Sequence, residues 1–432
     1  MLKELRTVAR RFDRARSLRT LVGECQRLIS ERGSANSSSI ATTLVQRFGK
    51  LDDAGRQDFF DVLARDFNPA PKAALAAARN YATLPSAEHL LALSRAVESP
   101  RQELFRRING APGGTAAIVA MRRTLLAAMP SNPQFAALES DMLHLLSSWF
   151  NPGFLQMQRV DWESPARLLE LLIEHEAVHP IDGWKDLRRR LASDRRCFAF
   201  FHPQLPGEPL IFVEVALVRE MPDAIAPLIA KDAATQPPEQ FKTATFYSIS
   251  NCQPGLRGVS LGNFLIKRVA EHLKREFPQL KTFCTLSPVP GFSKWLHKND
   301  GLAVLATKLS TKAPRLLEAR DVVLRELPDV ADGSRHLQAV ASPSRDALLR
   351  LCAAYLIYGT EPGSGDPVAR FHLDNGARLE RINTLADVSP KGMRQSFGVM
   401  VNYLYDLQQI EENHERYMRG RVSRSRTVAA LI

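Results

Sequence analysis

Three glycines fall within eight residues of the run Gln253-Pro254-Gly255-Leu256-Arg257-Gly258-Val259-Ser260-Leu261-Gly262-Asn263. Glycine lets a backbone approach a ligand closely. The apolar residues Phe264, Leu265, Val269 and Leu273 follow at a helical period. A glycine loop that opens directly into a helix presents free backbone N–H groups and the positive end of the helix dipole. The chemistry these residues suggest is the binding of a phosphate-bearing ligand at the start of a helix over 263–276. An ordinary glycine turn in an α/β unit fits the same residues.

A second string, His175-Glu176-Ala177-Val178-His179, matches the pattern with which zinc proteases hold their metal. That pattern needs both histidines on one helix face. Pro180 follows directly, and a proline there ends a helix at or before the preceding residue. No third ligand suggests itself. A helix end, with His179 packed locally, is expected, and no metal.

The elements that must position the loop can be read on either side of it. Ala244–Ser250 reads as a strand before it, and Lys281–Leu286 as a strand after the helix. That second strand is expected to stop at Ser287, because Pro288 and Pro290 cannot continue a central ladder. The segments 196–201 and 210–218 flank the turn Pro206-Gly207-Glu208-Pro209 and are expected to form a hairpin. Ser164-Pro165 is expected to start a helix, with the serine as cap. Residues 1–150 are helical in pattern throughout, with Pro or Gly in the short connections. Asn151-Pro152-Gly153 marks a boundary. The fold class expected is α+β, an all-α domain over 1–150 followed by an α/β domain over 151–432. A helix is expected over Ser342–Tyr358, and His372 at the edge of a short strand or loop beside the turn Asn375-Gly376. A polar-aromatic helix is expected at Asn402-Tyr403-Leu404-Tyr405.

The 432 residues are enough for two or three domains. A composition 45% hydrophobic and 24% charged is that of an ordinary globular protein. No apolar run approaches the roughly 20 residues that span a membrane. Net charge is +12, and residues 1–32 alone carry nine Lys/Arg against four Asp/Glu. Such charge favours anions, yet no nucleic-acid module is evident and aromatic residues are few. A polyanionic ligand accounts for the charge as well as nucleic acid does, and solvated basic ends account for the termini. The five cysteines show no metal or disulfide spacing, which suggests a reducing, cytoplasmic compartment.

Arg257-Gly258-x-x-Leu261-Gly262 resembles the pyrophosphate loop of GNAT-type acyl-CoA enzymes, with Ser260 where that pattern usually has glycine. Further blocks make a wider resemblance. Pro206–Leu210, Phe246–Ser250, Gly255–Val259, Phe264–Lys267, Leu286–Phe292, Phe371–Leu373, Asn375–Ala377, Arg381–Asn383 and Asn402-Tyr403 together resemble the malonyl-CoA decarboxylase family. The likeness runs from about Trp149 to Tyr405, and the N-terminal helices match in character only. The resemblance implies a helical domain used in oligomerisation, as a homodimer or homotetramer, and a GNAT-like catalytic core. It implies conversion of malonyl-CoA to acetyl-CoA and carbon dioxide without metal or organic cofactor. It carries the catalytic serine onto Ser287, the catalytic histidine onto His372, and the CoA loop onto Arg257, Gly258, Val259, Ser260, Leu261, Gly262 and Asn263. Relatives that carry Glu at the position of Ser260 would make it a tempting participant; a serine there implies that a carboxylate is not essential. The Ser-Lys-Leu ending of peroxisomal relatives is absent, the last residues being Ala430-Leu431-Ile432.

Loss of carbon dioxide from malonyl-CoA leaves a thioester enolate, whose α carbon must then be protonated. Histidine suits that step, since its pKa lies near neutrality. His372 is the expected proton donor, Ser287 the partner of the leaving carboxylate, and Tyr405 an orienting group. A CoA-dependent acyltransferase of the GNAT type is the alternative, although no acceptor pocket is identifiable. A scaffold or nucleic-acid binder is suggested by charge alone.

Overall fold

The computed structural model of the protein describes residues 2–30, 34–259, 261, 265–298, 313–326 and 342–432. It divides into two compact units. One contains Met1–Gln156 with Phe201–Leu210 and Cys252–Leu261; the other contains Met157–Phe200, Ile211–Asn251 and Gly262–Ile432.

The first unit is built on α1 (Leu2–Ser30), α2 (Ser34–Gly49), α3 (Asp53–Asp66), α4 (Pro71–Thr83), α5 (Ala87–Val97), α6 (Pro100–Asn109), α7 (Gly114–Ala128) and α8 (Ala136–Trp149). The starts follow local chemistry. Asp52 accepts from the Gly55 amide at 2.8 Å, and Pro71 and Pro100 occupy first turns where no N–H is needed. Helix α8 begins at Ala136, because Pro133–Phe135 before it form a tighter 3-10 turn. Phe48, Phe59, Phe60 and Phe135 pack edge and face in the core, with centroids 5.6 to 6.3 Å apart. The α4–α5 pair is different. Neither helix buries a residue, and Leu84 and Leu91 are 60% and 57% exposed.

The second unit holds a mixed sheet of eight strands: β1 (Gln156–Val160), β2 (Arg195–Phe201), β3 (Ile211–Val218), β4 (Thr243–Asn251), β5 (Thr282–Thr285), β6 (Ser287–Pro288), β7 (Arg378–Asn383) and β8 (Met400–Leu404). Their order is β1-β2-β3-β4-β5-β8-β6, with β7 also on β8. Strands β2 and β3 form the expected antiparallel hairpin, with Arg196 opposite Val215. Strands β4 and β5 are parallel. Parallel neighbours require a crossover, and the amphipathic helix over Leu265–Glu276 supplies it, burying Leu265, Ile266, Val269, Ala270 and Leu273. Every residue of β3 is buried. Its one charge, Glu214, meets the Arg190 guanidinium at 3.1 Å, yet burial still pushes its carboxyl up to about 7.

Several sequence expectations are corrected. The segment at Asn402–Tyr405 is strand β8 and the residue after it, not a helix. Lying between β5/β6 and β7, it is buried on both faces, so its polar Asn402 is a core residue. The Asn402 amide donates to Thr285 O (2.8 Å) and Pro222 O (3.0 Å) and accepts from Arg381 and Asn383. His372 lies on a helix, Pro367–Asp374, rather than at a strand edge, and Ala369, His372 and Leu373 form its buried face. The Asn375-Gly376 pair ends that helix. Gly376 has φ +76°, and a Cβ there would meet Ile410 O at 2.1 Å. The Ser164 hydroxyl accepts from the Asp161 amide at 3.0 Å instead of capping the helix Ala166–His175. Strand pairing does not stop at Ser287: Ser287 and Pro288 pair with Val401 and Met400 of β8. The helix expected over Ser342–Tyr358 is present. β1 went unread, its five residues burying only Val160.

Candidate active site

Strand β5 ends at Thr285, and Leu286 N still donates to Phe246 O at 3.1 Å. Ser287 then joins β8, so its Cα is held by pairing on one side and by two prolines downstream. Its hydroxyl donates to Thr285 Oγ1 at 2.9 Å, an oxygen that also accepts from the Tyr403 amide at 3.2 Å. The side chain is thus aimed by the strand that carries it and by β8.

His372 arrives from the helix Pro367–Asp374. Asp366 caps that helix: its Oδ1 accepts from Val368 N (3.0 Å) and Ala369 N (3.1 Å). Its other oxygen accepts from Gly291 N at 2.9 Å. One buried carboxylate therefore straps the start of the histidine helix to the turn that follows Ser287. Gly291 must be glycine for this, since a Cβ would lie 2.4 Å from the Tyr355 hydroxyl and 3.1 Å from Asp366 Oδ2. Burial raises the Asp366 carboxyl above its ordinary value, against the lowering effect of the three amides.

The strap brings Ser287 and His372 together across 85 positions, with Oγ and Nε2 2.8 Å apart. On the far side of the ring, Nδ1 lies 2.9 Å from the Tyr405 hydroxyl. With the serine proton on Thr285, Nε2 donates to Oγ and Nδ1 accepts from the Tyr405 hydroxyl. Tyr403 stacks on the imidazole with centroids 4.7 Å apart and planes 28° from parallel. The ring is 3% exposed, and burial pushes its pKa from 6.5 down to about 3, so the imidazole of the empty site is neutral. Burial likewise raises the Tyr405 phenol well above its ordinary value.

Ser287 and His372 open onto a cavity of about 300 Å³. Its walls come from Phe246 to Ile249 of β4, from Val178, and from Pro367, Val368 and Phe371 beside the histidine. Among the described residues lining it, none carries a formal charge. β4 runs on to Asn251 after its pairing with β5 has ended at Phe246, and this divergence makes the cavity. A register shift after Glu214 leaves Tyr247 as an extra residue there.

Family models match most of this chain: that of the malonyl-CoA decarboxylase N-terminal domain over residues 67–150, and that of the malonyl-CoA decarboxylase C-terminal domain over 153–432. The chain belongs to the malonyl-CoA decarboxylase family. It is 38% identical over 376 residues to the mitochondrial malonyl-CoA decarboxylase of Mus musculus, covering 82% of this chain and 75% of that protein. With the Anser anser anser protein of the same name it shares 37% over 343 residues, 74% of this chain and 67% of that one. The crystal structure of malonyl-CoA decarboxylase from Rhodopseudomonas palustris matches 96% of this chain and 99% of its own, with 46% identity and a TM-score of 0.86. That from Agrobacterium vitis matches 95% and 99%, at 45% identity and a TM-score of 0.82.

The remaining site expectations fall elsewhere. Arg257, Gly258, Val259 and Leu261 belong to the first unit, where Gly258 adopts φ +86°. Ser260, Gly262 and Asn263 lie outside the described residues, and the helix expected from 263 is described from Leu265. His202 packs on Phe150 in the first unit at 4.8 Å. The HEAVH string does not form one helix face. The helix ends at His175, and the Glu176 carboxylate accepts from Val178 N, His179 N, Ser248 and Ser250. Sequence reading missed Thr285, Gly291, Tyr403 and Asp366. Only Asp366 carried a local signal, as Asp before Pro is a helix start.

Asp366→Ala should release the strap while leaving the β4 wall of the cavity in place. Turnover is expected to fall about 10- to 100-fold, the cost of a misplaced reacting group, with the Michaelis constant for malonyl-CoA almost unmoved. Steady-state kinetics check this; an unchanged turnover would show that Ser287 and His372 are positioned without it.

Proposed function

We propose that the chain converts malonyl-CoA to acetyl-CoA and carbon dioxide at the Ser287–His372–Tyr405 chain of hydrogen bonds. The observation that carries this reading is the neutral Ser–His pair at the wall of an uncharged cavity. A carboxylate held there meets no lysine or arginine among the described lining residues, whereas carbon dioxide needs no counter-charge. Cleavage of the carbon–carbon bond therefore relieves a cost, and the electron pair passes to the thioester as an enolate. Ser287 donates to the leaving carboxylate.

The proton follows from the same electrostatics. In the empty site His372 is neutral. A substrate carboxylate beside Nε2 favours the imidazolium and draws in one proton from solvent. Nδ1–H then donates to the Tyr405 oxygen. When carbon dioxide leaves, the α carbon takes the proton from Nε2, returning the imidazole to its neutral form. One proton enters, and acetyl-CoA and carbon dioxide leave. The segment Arg257 to Asn263 is the expected holder of the CoA pyrophosphate in this reading, and no metal or organic cofactor takes part. Family membership favours this carboxy-lyase over the acyltransferase alternative.

His372→Ala and Ser287→Ala should each lower turnover by about 100-fold, the usual worth of a placed acid or base. The double variant should lose little more, because groups acting as a unit are not additive. Carbon dioxide release assays, with and without prior chelator treatment of the parent, read both points. Full activity in His372→Ala would overturn the assignment, and activity lost to chelator and restored by zinc would overturn the metal-free reading.

Among the described residues no helix is long and apolar enough to cross a membrane. All five cysteines are buried and lack the spacing of a disulfide or metal framework, which supports a reducing, cytoplasmic setting, although the relatives named above are mitochondrial; cell fractionation distinguishes the two. We also propose that the helical unit associates into a dimer or tetramer through α4 and α5, where Leu75, Leu84, Leu90, Leu91 and Val97 are exposed. Light scattering at micromolar concentration should give two or four chains for the parent and a smaller species for Leu84→Glu/Leu91→Glu. A monomeric parent would contradict this.

A further inference from the structure

Among the described residues, the protein supplies His372 with no counter-ion. A histidine that carries a proton during turnover is commonly backed by a carboxylate on its second nitrogen. Here Nε2 meets the Ser287 hydroxyl and Nδ1 the Tyr405 hydroxyl, and neither group is charged. Burial holds the imidazole of the empty site neutral. Tyr403 covers one face of the ring, with centroids 4.7 Å apart and planes 28° from parallel.

Strand geometry places Tyr403 there. Residues two apart on a strand face the same side. Tyr403 in β8 and Tyr405 just past its end therefore reach the imidazole together, one on its face and one on its edge. Tyr403 is held on both sides of its strand: it pairs with Leu379 of β7, and its amide donates to Thr285 Oγ1 at 3.2 Å. That oxygen also accepts from the Ser287 hydroxyl at 2.9 Å. One residue thus serves both members of the reacting pair, His372 through its ring and Ser287 through Thr285. Tyr403 is 1% exposed, and its hydroxyl has no hydrogen-bond partner among the described residues. The phenol oxygen contributes no bond to the site, and the ring face is what His372 meets. An aromatic face carries negative potential and attracts a cation within about 6 Å of its centroid, most strongly where water is excluded. It acts on an imidazolium far more than on a neutral imidazole.

We propose that Tyr403 is a positioning residue for the decarboxylation, its ring face holding the His372 imidazolium in place until the α carbon takes the proton. This rests on the reading of His372 as the proton donor.

Replacement of Tyr403 by phenylalanine, and then by mono-, tri- and pentafluorophenylalanine, withdraws electrons from the ring face step by step at nearly constant shape. Tyr403→Phe should keep turnover within about 3-fold of the parent, because the face is retained and the hydroxyl makes no bond. Turnover should then fall in order along the series, by about 10-fold or more at the pentafluoro ring, the worth of a desolvated cation–π contact. The mono- and trifluoro steps read the same trend if the last ring is not tolerated. The Michaelis constant for malonyl-CoA and the thermal unfolding midpoint should stay near the parent's, since the packing is kept. Turnover that is flat along the series would reduce Tyr403 to packing and overturn the proposal. So would a full loss already in Tyr403→Phe, which would place the effect on the hydroxyl, or a loss carried by the Michaelis constant alone. His372→Ala tells the two readings apart. Full activity in that variant defeats the proton-donor reading and this one with it. A flat fluorine series beside an inactive His372→Ala defeats the part of Tyr403 alone.

Discussion

The catalytic end of this protein depends on one buried carboxylate. Asp366 accepts three backbone amides, two from the helix that carries His372 and one from the turn that follows Ser287. Without such a tie, a serine on a short strand and a histidine on an eight-residue helix would have no reason to keep a 2.8 Å contact. The neighbours of Asp366 reflect that commitment: Gly291 has no side chain because Tyr355 and Asp366 occupy the space.

The same economy governs the sheet. Two buried polar side chains of the second unit are tied into hydrogen bonds that set backbone geometry. Asn402 joins β8 to Thr285 and to the Pro222 carbonyl, and Glu176 turns the chain after its helix by accepting from Ser248 and Ser250 of β4. Among the described residues no charged side chain lines the cavity, although Arg190, Glu214 and Asp186 form a buried network in the same unit. An uncharged wall favours a reaction that turns an anion into a neutral gas. Burial holds the His372 pKa well below its ordinary value.

Much of this was legible in the residues. The β2–β3 hairpin followed from apolar runs about a Pro-Gly turn, and the crossover helix from its sharp apolar period. The helical first unit followed from its spacing and its punctuating prolines. The broken metal string followed from Pro180, whose effect on the helix end is visible at His175. The pairing of Ser287 with His372 was not legible from local pattern, because it is a contact across 85 positions created by a strap; family resemblance pointed to it. β8 was mistaken for a helix because a strand buried on both faces lacks alternation. His372 was mistaken for a strand-edge residue because eight residues give a helical period little room to appear. The attachment of the glycine segment to α7 had no sequence signal at all, since Arg122 and Gly255 meet only in the fold.

The central claim is that His372 delivers the proton to the α carbon. Run backwards, that step removes a proton from the methyl group of acetyl-CoA, with no decarboxylation involved. Incubation of acetyl-CoA with the enzyme in deuterium oxide, followed by mass spectrometry, isolates it. The parent should incorporate deuterium into the acetyl group, and His372→Ala should lose that exchange while still binding acetyl-CoA. Exchange at the parent's rate in His372→Ala would contradict the assignment and place the proton on another group.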